Sequence, residues 1–119
     1  MATFSRRLLS GSTNGRVIPV AATATPGTLL HTAVAGTSDI DEVYLWVSNV
    51  TGSAATLTVE WGGVTDPGDH LVKAYSIAAN SLPVLIADGL QLQNGLVIRA
   101  FSGTASALNV SGYVNRVTA

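Results

Sequence analysis

The chain contains no cysteine and no stretch that is apolar enough to span a membrane. Without cysteine there is no disulfide framework and no thiol chemistry. A membrane helix needs about 20 consecutive apolar residues, and no run in the sequence approaches that length. The opening residues include arginines but no apolar run of signal-peptide length. We therefore expect a protein that is made in the cytosol and has no membrane partner.

Charged residues are also scarce. They make up 11% of the 119 residues, whereas hydrophobic residues make up 47%. Ordinary domains carry about 25% charged residues. Weak surface charge protects poorly against association. Two interpretations follow from the composition: a stable β-sandwich with a face coated by threonine and serine, or a protein that is packed in an assembly.

The few cationic residues are concentrated at the amino terminus. Three of the six lie in the first 16 residues, while all seven carboxylates lie beyond residue 16. A cationic segment on an acidic body is a plausible docking device, although a solvated tail is the commoner case. We predict an N-terminal arm over residues 1–16 and a β-sandwich domain over residues 17–119. The arm residues expected to bind a partner are the apolar and cationic ones, Phe4, Arg6, Arg7, Leu8, Leu9 and Arg16.

Residues 41–63 predict a β-hairpin, in which two strands joined by a short turn at residues 51–53 pair with each other. In the second strand Ala55, Leu57, Val59 and Trp61 alternate with Thr56, Thr58 and Glu60, so we expect the first row in the core and the second toward water. In the first strand Tyr44 and Trp46 point away from the apolar row. We expect these two aromatic residues to be buried on a second face or to contact a partner.

The rest of the chain repeats this pattern without a convincing helical period. Short alternating stretches are separated by turn signals roughly every 8–12 residues, which is typical of β-sandwiches and barrels. The prediction is an all-β fold: a single-domain β-sandwich or jelly-roll-like barrel of about eight short strands, with an extended N-terminal arm.

The sequence offers few groups for catalysis. His31 lies inside an apolar strand, where we interpret it as a structural histidine. Asp66, Asp69 and His70 have ligand chemistry for a divalent metal, but their spacing matches no known metal loop, and the stretch is an ordinary turn sequence. No nucleophile elbow, phosphate loop or dinucleotide fingerprint is present. We predict no enzyme activity, no metal and no cofactor.

Binding functions are harder to separate from one another. Nucleic-acid binding needs a basic stripe with stacking aromatic residues, whereas the body of this chain is acidic, so no nucleic-acid partner is expected. Carbohydrate binding on Tyr44, Trp46 or Tyr75 stays open as an alternative.

The chain as a whole resembles small virion structural proteins of tailed bacteriophages, and in size and composition it is similar to capsid decoration (cement) proteins. The resemblance is carried by FSRRLLSGSTNGR, VIPVAATATPGTLLHTAV, DEVYLWVSNVTGSAATLTVEWGG, GGVTDPGDH and LNVSGYVNRV. It implies a non-enzymatic protein on the capsid exterior that binds the major capsid protein and stabilises the shell as a homo-oligomer, commonly a trimer. A tail, neck or fibre role with carbohydrate binding is the alternative. No functional residue is carried over from the family.

Overall fold

The computed structural model of the chain describes residues 2–119, and these residues form nine β-strands. In chain order the strands are β1 (Thr3–Leu8), β2 (Ile18–Pro19), β3 (Thr28–Thr32), β4 (Ile40–Asn49), β5 (Ala55–Trp61), β6 (His70–Ile77), β7 (Val84–Leu92), β8 (Val97–Ser102) and β9 (Leu108–Thr118). Among the described residues, no helix is long and apolar enough to cross a membrane.

The strands form two antiparallel sheets. The order in the first sheet is β1-β9-β4-β7, with β2 also paired to β9, and the order in the second sheet is β3-β8-β5-β6. Early strands thus pair with late ones: β1 and β2 with β9, β3 with β8, β4 with β7, and β5 with β6. Winding one long hairpin around a barrel produces this order, which is that of a jelly roll. The predicted single-domain β-sandwich is confirmed.

The core lies between the two sheets and is built from alternate residues of the central strands. In β4 the residues from Val43 to Val47 alternate between buried and half-buried positions. In β9 the inward row includes Gly112, where any Cβ would overlap the carbonyl oxygen of Tyr44, so glycine is required for this approach of β9 to β4. The buried row of the two strands is Val43, Leu45, Val47, Leu108, Val110 and Val114.

The predicted pairing of the two strands in residues 41–63 is wrong, although both strands exist. β4 pairs with β7 and β9 in the first sheet, whereas β5 pairs with β6 and β8 in the second. The turn therefore carries the chain from one sheet to the other. The buried side chain of Asn49 supports it, since its Nδ2 donates to the Ser53 carbonyl oxygen at 2.8 Å and its Oδ1 accepts the Thr51 N–H at 2.9 Å.

The predicted core row of β5 is confirmed, but its predicted water-facing row is wrong in two of three places. Ala55, Leu57 and Val59 are buried and Trp61 packs against them. Glu60 is buried because a loop from an earlier part of the chain covers it, and Thr58 is buried with its hydroxyl accepting the Ala74 N–H of β6. The alternation of apolar and polar residues within one strand gives no information about a loop that covers the strand.

The segment predicted as an arm lies along the first sheet. Residues 3–8 form β1, the strand that raises the count above the expected eight. Leu9 is 2% exposed, the Ser10 N–H donates to Nδ1 of His31 at 3.0 Å, and the Gly11 N–H donates to the Leu30 carbonyl oxygen at 3.0 Å. The end of this segment is therefore fixed against β3.

Candidate interaction surface

The outer face of the first sheet is rich in aromatic and apolar side chains. Residues directly opposite each other on paired strands share a face, and Tyr44 of β4 lies opposite Tyr113 of β9 and Asp88 of β7. Phe4, Leu8 and Leu85 are on the same side and are 64%, 55% and 49% exposed. We call this surface, defined by Phe4, Leu8, Tyr44, Trp46, Leu85 and Tyr113, the aromatic face.

Three rings at the centre of the aromatic face stack on one another. The ring centroids of Tyr44 and Tyr113 are 4.7 Å apart with an interplanar angle of 14°, and those of Trp46 and Tyr113 are 6.2 Å apart at 25°. The guanidinium of Arg6 lies 5.4 Å from the Tyr113 centroid, within the range of a cation–π contact. The rings therefore stand on the sheet and cover one another's faces.

This stacking covers one face of the Tyr44 ring and one face of the Tyr113 ring. A sugar-binding platform needs a free ring face, because the apolar side of a sugar packs flat against it. Tyr113 has Tyr44 on one side and Arg6 near its ring. The stack is therefore better suited to packing against another protein surface than to holding a sugar ring.

A bulge in β7 makes room for Tyr44. Gly89 has a φ of +79°, and a Cβ at this position would lie 3.1 Å from the Tyr44 hydroxyl oxygen. Glycine adopts this φ without the strain that other residues incur. The position of the Tyr44 ring thus depends on a glycine in β7, the strand next to β4.

Two charged side chains flank the stack at opposite edges of the aromatic face. Arg6 lies on β1 and Asp88 on β7, and β9 and β4 separate these strands. Neither residue takes part in an ion pair among the described residues. Glu42, by contrast, accepts from Asn115 at 2.9 Å. The face therefore has an apolar centre, a positive charge at one edge and a negative charge at the other, and its third charged group, Glu42, is hydrogen-bonded within the sheet.

The outer face of the second sheet is closed by the chain itself. Glu60 of β5 is fully buried and accepts hydrogen bonds from the Thr25 hydroxyl and, at 2.7 Å, from the Gly27 N–H. Arg99 of β8, directly opposite Glu60, donates to the Gly27 carbonyl oxygen at 3.2 Å. The loop before β3 is thus held over this sheet by polar contacts.

The free edges of the sheets differ in regularity. β3 has one register shift, and β6 and β7 have two each, whereas β1 pairs with β9 from Thr3 to Leu8 without any shift. Bulges at sheet edges hinder the addition of further strands. Among the edge strands of the described sheets that are longer than the two-residue β2, β1 is therefore the one that lacks this protection.

A buried polar cluster between the sheets fixes the segment before β2. The Ser10 N–H donates to Nδ1 of His31, so the ring proton is on Nε2, which donates to Asp41 at 2.8 Å. Arg116 donates to Asp41 from Nε at 2.7 Å and from Nη2 at 3.1 Å. The interpretation of His31 as a structural histidine is confirmed, since both ring nitrogens have protein partners.

The charges of this cluster support one another. Burial opposes ionisation of Asp41, but the hydrogen bonds from Arg116 and His31 outweigh it and hold the pKa of Asp41 below its usual value. The same hydrogen bond raises the pKa of Arg116. The side chain of Asp41 is fully buried and that of His31 nearly so, so the cluster has the geometry of a structural tie.

The Asp66–His70 loop uses its carboxylates within the loop and its neighbouring strand. Asp69 accepts the Thr65 N–H at 3.0 Å, and Lys73 donates to Asp66 at 2.8 Å, which lowers the pKa of Asp66. His70 Nδ1 lies 3.5 Å from Asp66 and has no hydrogen-bond partner. Within residues 2–119, no group of three or more His, Asp or Glu side chains is arranged to hold a metal ion.

A cleft of about 440 Å³ opens beside the end of β7, but it carries no ionisable side chain. Acid–base or nucleophilic catalysis needs such a group within reach of the substrate. The cleft is lined by Thr37, Ile40, Gln91, Leu92, Gln93, Asn94 and Leu96.

The structure brings together some of the residues predicted as partner-binding and separates others. Phe4, Arg6 and Leu8 join Tyr44 and Trp46 on the aromatic face. Arg7 and Arg16 are exposed but do not belong to that face, and Leu9 is in the core. Sequence reasoning missed Tyr113, Asp88 and Leu85, because only the register of β9 and β7 on β4 reveals that they are neighbours.

Comparisons of this chain with protein-family models, with curated proteins and with solved structures find no match. The resemblance to phage virion proteins therefore stays a prediction. What the fold and surface define is a jelly-roll β-sandwich with one closed outer face and one open aromatic face.

Proposed function

We propose that the protein is a non-enzymatic structural protein of a tailed-phage virion, of the decoration type, that binds the outer shell and stabilises it. The observation that carries this proposal is the open aromatic face beside the regular free edge of β1. Exposed apolar patches of this kind mark protein contacts. Only 11% of the residues are charged, so charge repulsion does little to prevent these surfaces from binding partners.

The free edge of β1 is the proposed contact with the major capsid protein. Unpaired N–H and C=O groups on a regular edge can accept a further strand from a partner. Arg7 is exposed on this strand, and Arg16 is exposed beyond it. Pairing of β1 with β1 of another copy would bring Arg6 and Arg7 of both copies, four arginines in all, close together. An acidic partner strand therefore fits this edge better than a second copy does.

Several weak contacts made together account for stable binding. A single added strand and one or two surface ion pairs give modest affinity. When linked copies bind neighbouring sites on one shell, the second contact benefits from a high effective concentration. An oligomer would therefore bind the shell more tightly than a single copy.

Shell binding can be tested by co-sedimentation of the purified protein with shells that lack it. We expect Arg7→Glu to weaken binding, whereas Lys73→Glu, the same charge change on β6 of the other sheet, leaves it unchanged. A variant that lacks residues 2–7 should lose binding and still fold, because it keeps Leu9 in the core and the Ser10 contact with His31. Undiminished binding by both Arg7→Glu and the variant that lacks residues 2–7 would exclude β1 as the docking element.

The amount of protein in purified virions tests the proposal as a whole. A decoration protein is present at a copy number comparable with that of the major capsid protein, while a neck, tail or fibre component is present in a few copies. Quantitative mass spectrometry of particles distinguishes the two. Its absence from the particles would contradict any virion role.

The alternative, an adhesive tail or fibre protein, receives less support from the geometry. The rings of the aromatic face are stacked on one another, and the exposed Tyr75 lies on β6 beside Leu85 and Ile86, toward the end of that strand away from the Asp66–His70 loop. A glycan array with and without calcium tests this alternative. Specific binding that is lost in Tyr75→Ala would favour it over the shell role.

A further inference from the structure

We infer that the aromatic face pairs with the same face of a second copy of this chain, about a two-fold axis that runs parallel to the strands. The positions of the charged residues on the aromatic face are the argument for a second copy as its partner. The inference concerns copy–copy pairing and does not depend on the shell.

The strand order makes such an arrangement self-complementary. An axis between β9 and β4 places β1 of one copy over β7 of the other and β9 over β4. Rotation about an axis parallel to the strands keeps each residue at its level along the strand, so residues in one cross-strand row meet the same row of the second copy. The row that contains Leu8, Tyr113, Tyr44 and Asp88 therefore faces itself in reverse order.

The two free charges of the face meet in this arrangement. Arg6 starts one row away, opposite Asn115, but its guanidinium leans over the Tyr113 ring and so reaches the row of Asp88. Arg6 of each copy then approaches Asp88 of the other, and the dimer has two such pairs. An apolar centre with complementary charges at its rim is the usual anatomy of a protein interface.

The apolar side chains are also complementary. Leu8 on β1 and Leu85 on β7 are both about half exposed and lie at opposite edges of the aromatic face. In the paired arrangement, Leu8 of each copy comes within reach of Leu85 of the other. Sheets pack face to face at about 10 Å when side chains interdigitate. The upright rings of Tyr44 and Tyr113 present their edges to the second copy in that space.

Pairing about a two-fold axis differs from the trimer that the resemblance to decoration proteins implies. A two-fold interface uses one patch on both copies, while a trimer of cyclic symmetry needs two different patches. Charges of opposite sign at the two edges of one patch fit the two-fold arrangement.

Charge reversal with rescue tests the inference on the full chain by sedimentation equilibrium between about 1 and 200 µM, where weak dimers dissociate. We expect Arg6→Glu and Asp88→Arg each to raise the dimer dissociation constant at least about tenfold, because each turns two attractive contacts into repulsive ones. The double variant Arg6→Glu/Asp88→Arg should pair nearly as well as the original chain. Arg7→Glu, adjacent in β1 but off the aromatic face, is the matched control.

The outcomes separate clearly, provided that circular dichroism shows each variant folded. Rescue in the double variant supports the inference, since a folding defect would not be repaired by a second reversal. A monomeric original chain at 200 µM, a trimer, or equal effects of Arg6→Glu and Arg7→Glu would overturn it. Shell binding by a strict monomer would leave the proposed virion role standing and remove only this pairing.

Discussion

The two outer faces of the sandwich differ in how they are completed. On the second sheet, polar side chains are buried beneath the loop before β3, and Glu60 is satisfied by Thr25 and Gly27 of the same chain. On the first sheet, apolar and aromatic side chains stand open, and the charges of Arg6 and Asp88 have no ion-pair partner among the described residues. The comparison indicates that the closed face contributes to folding, whereas the open face is available for association.

The largest effect on folding is expected at Asp41, which is buried between the two sheets. Asp41→Asn removes the charge that pairs with Arg116 and one of the two oxygens that accept from Arg116 and His31, and breaking a buried ion pair costs about 3–5 kcal/mol. Urea unfolding at neutral pH measures this loss. Asp39→Asn is the control, because Asp39 is only partly buried and the amide oxygen of the asparagine can still accept the Ala119 N–H. A loss below about 1 kcal/mol in Asp41→Asn would show that the cluster is not a structural tie.

Acid should reduce the difference between Asp41→Asn and the original chain. The pKa of Asp41 is lower in the folded than in the unfolded protein, so its contribution is complete above the unfolded pKa of about 3.9 and is lost as the pH falls through the folded value. The difference between the two proteins should therefore stay constant from pH 7 down to about pH 4 and shrink below that pH. A gap that widens toward low pH would contradict this assignment of charge.

A smaller loss is expected when the closed face is opened at Glu60. Glu60→Ala leaves the buried Gly27 N–H without its acceptor and removes the hydrogen bond from the exposed Thr25, which together cost about 2 kcal/mol. Glu60→Gln keeps one acceptor oxygen at the same size and should lose less. Urea unfolding and limited proteolysis within residues 21–27 measure the two effects, and copy–copy pairing should not change. Equal stability of Glu60→Ala and Glu60→Gln would show that the loop is held by other contacts.

The contrast between the faces also explains what sequence could predict. The fold class follows from alternation in strands such as β5, where Ala55, Leu57 and Val59 are in the core as expected. β1 was missed as a strand because all but one of its residues are exposed, so backbone pairing with β9 rather than an apolar row defines it. The partners of Tyr44 depend on the register of β9 and β7, which are far from β4 in the chain.

On the open face, a larger loss of stability is expected at the glycine that makes room for Tyr44. Gly89→Ala forces a side chain into a φ of +79° and against the Tyr44 hydroxyl, for an expected loss of about 1–2 kcal/mol. Because the Tyr44 ring would shift, we expect weaker pairing as well, measured by sedimentation. Gly36→Ala is the matched control for backbone strain, since its φ is +80° and no atom lies within 4 Å of its Cβ position. If both variants pair equally well, the position of the Tyr44 ring does not matter for association.

The smallest effect on folding, and the sharpest test of the comparison, is expected at Leu85. This side chain is 49% exposed on the aromatic face, so Leu85→Ser should change the free energy of unfolding by no more than about 0.5 kcal/mol. The same change removes apolar area from the proposed copy–copy interface and should raise the dimer dissociation constant severalfold. Leu82→Ser is the control, because Leu82 is 85% exposed in the turn before β7 and lies outside that interface. A variant at Leu85 that unfolds more easily but pairs normally would reverse the assignment of roles to the two faces, since the open face would then serve folding and not association.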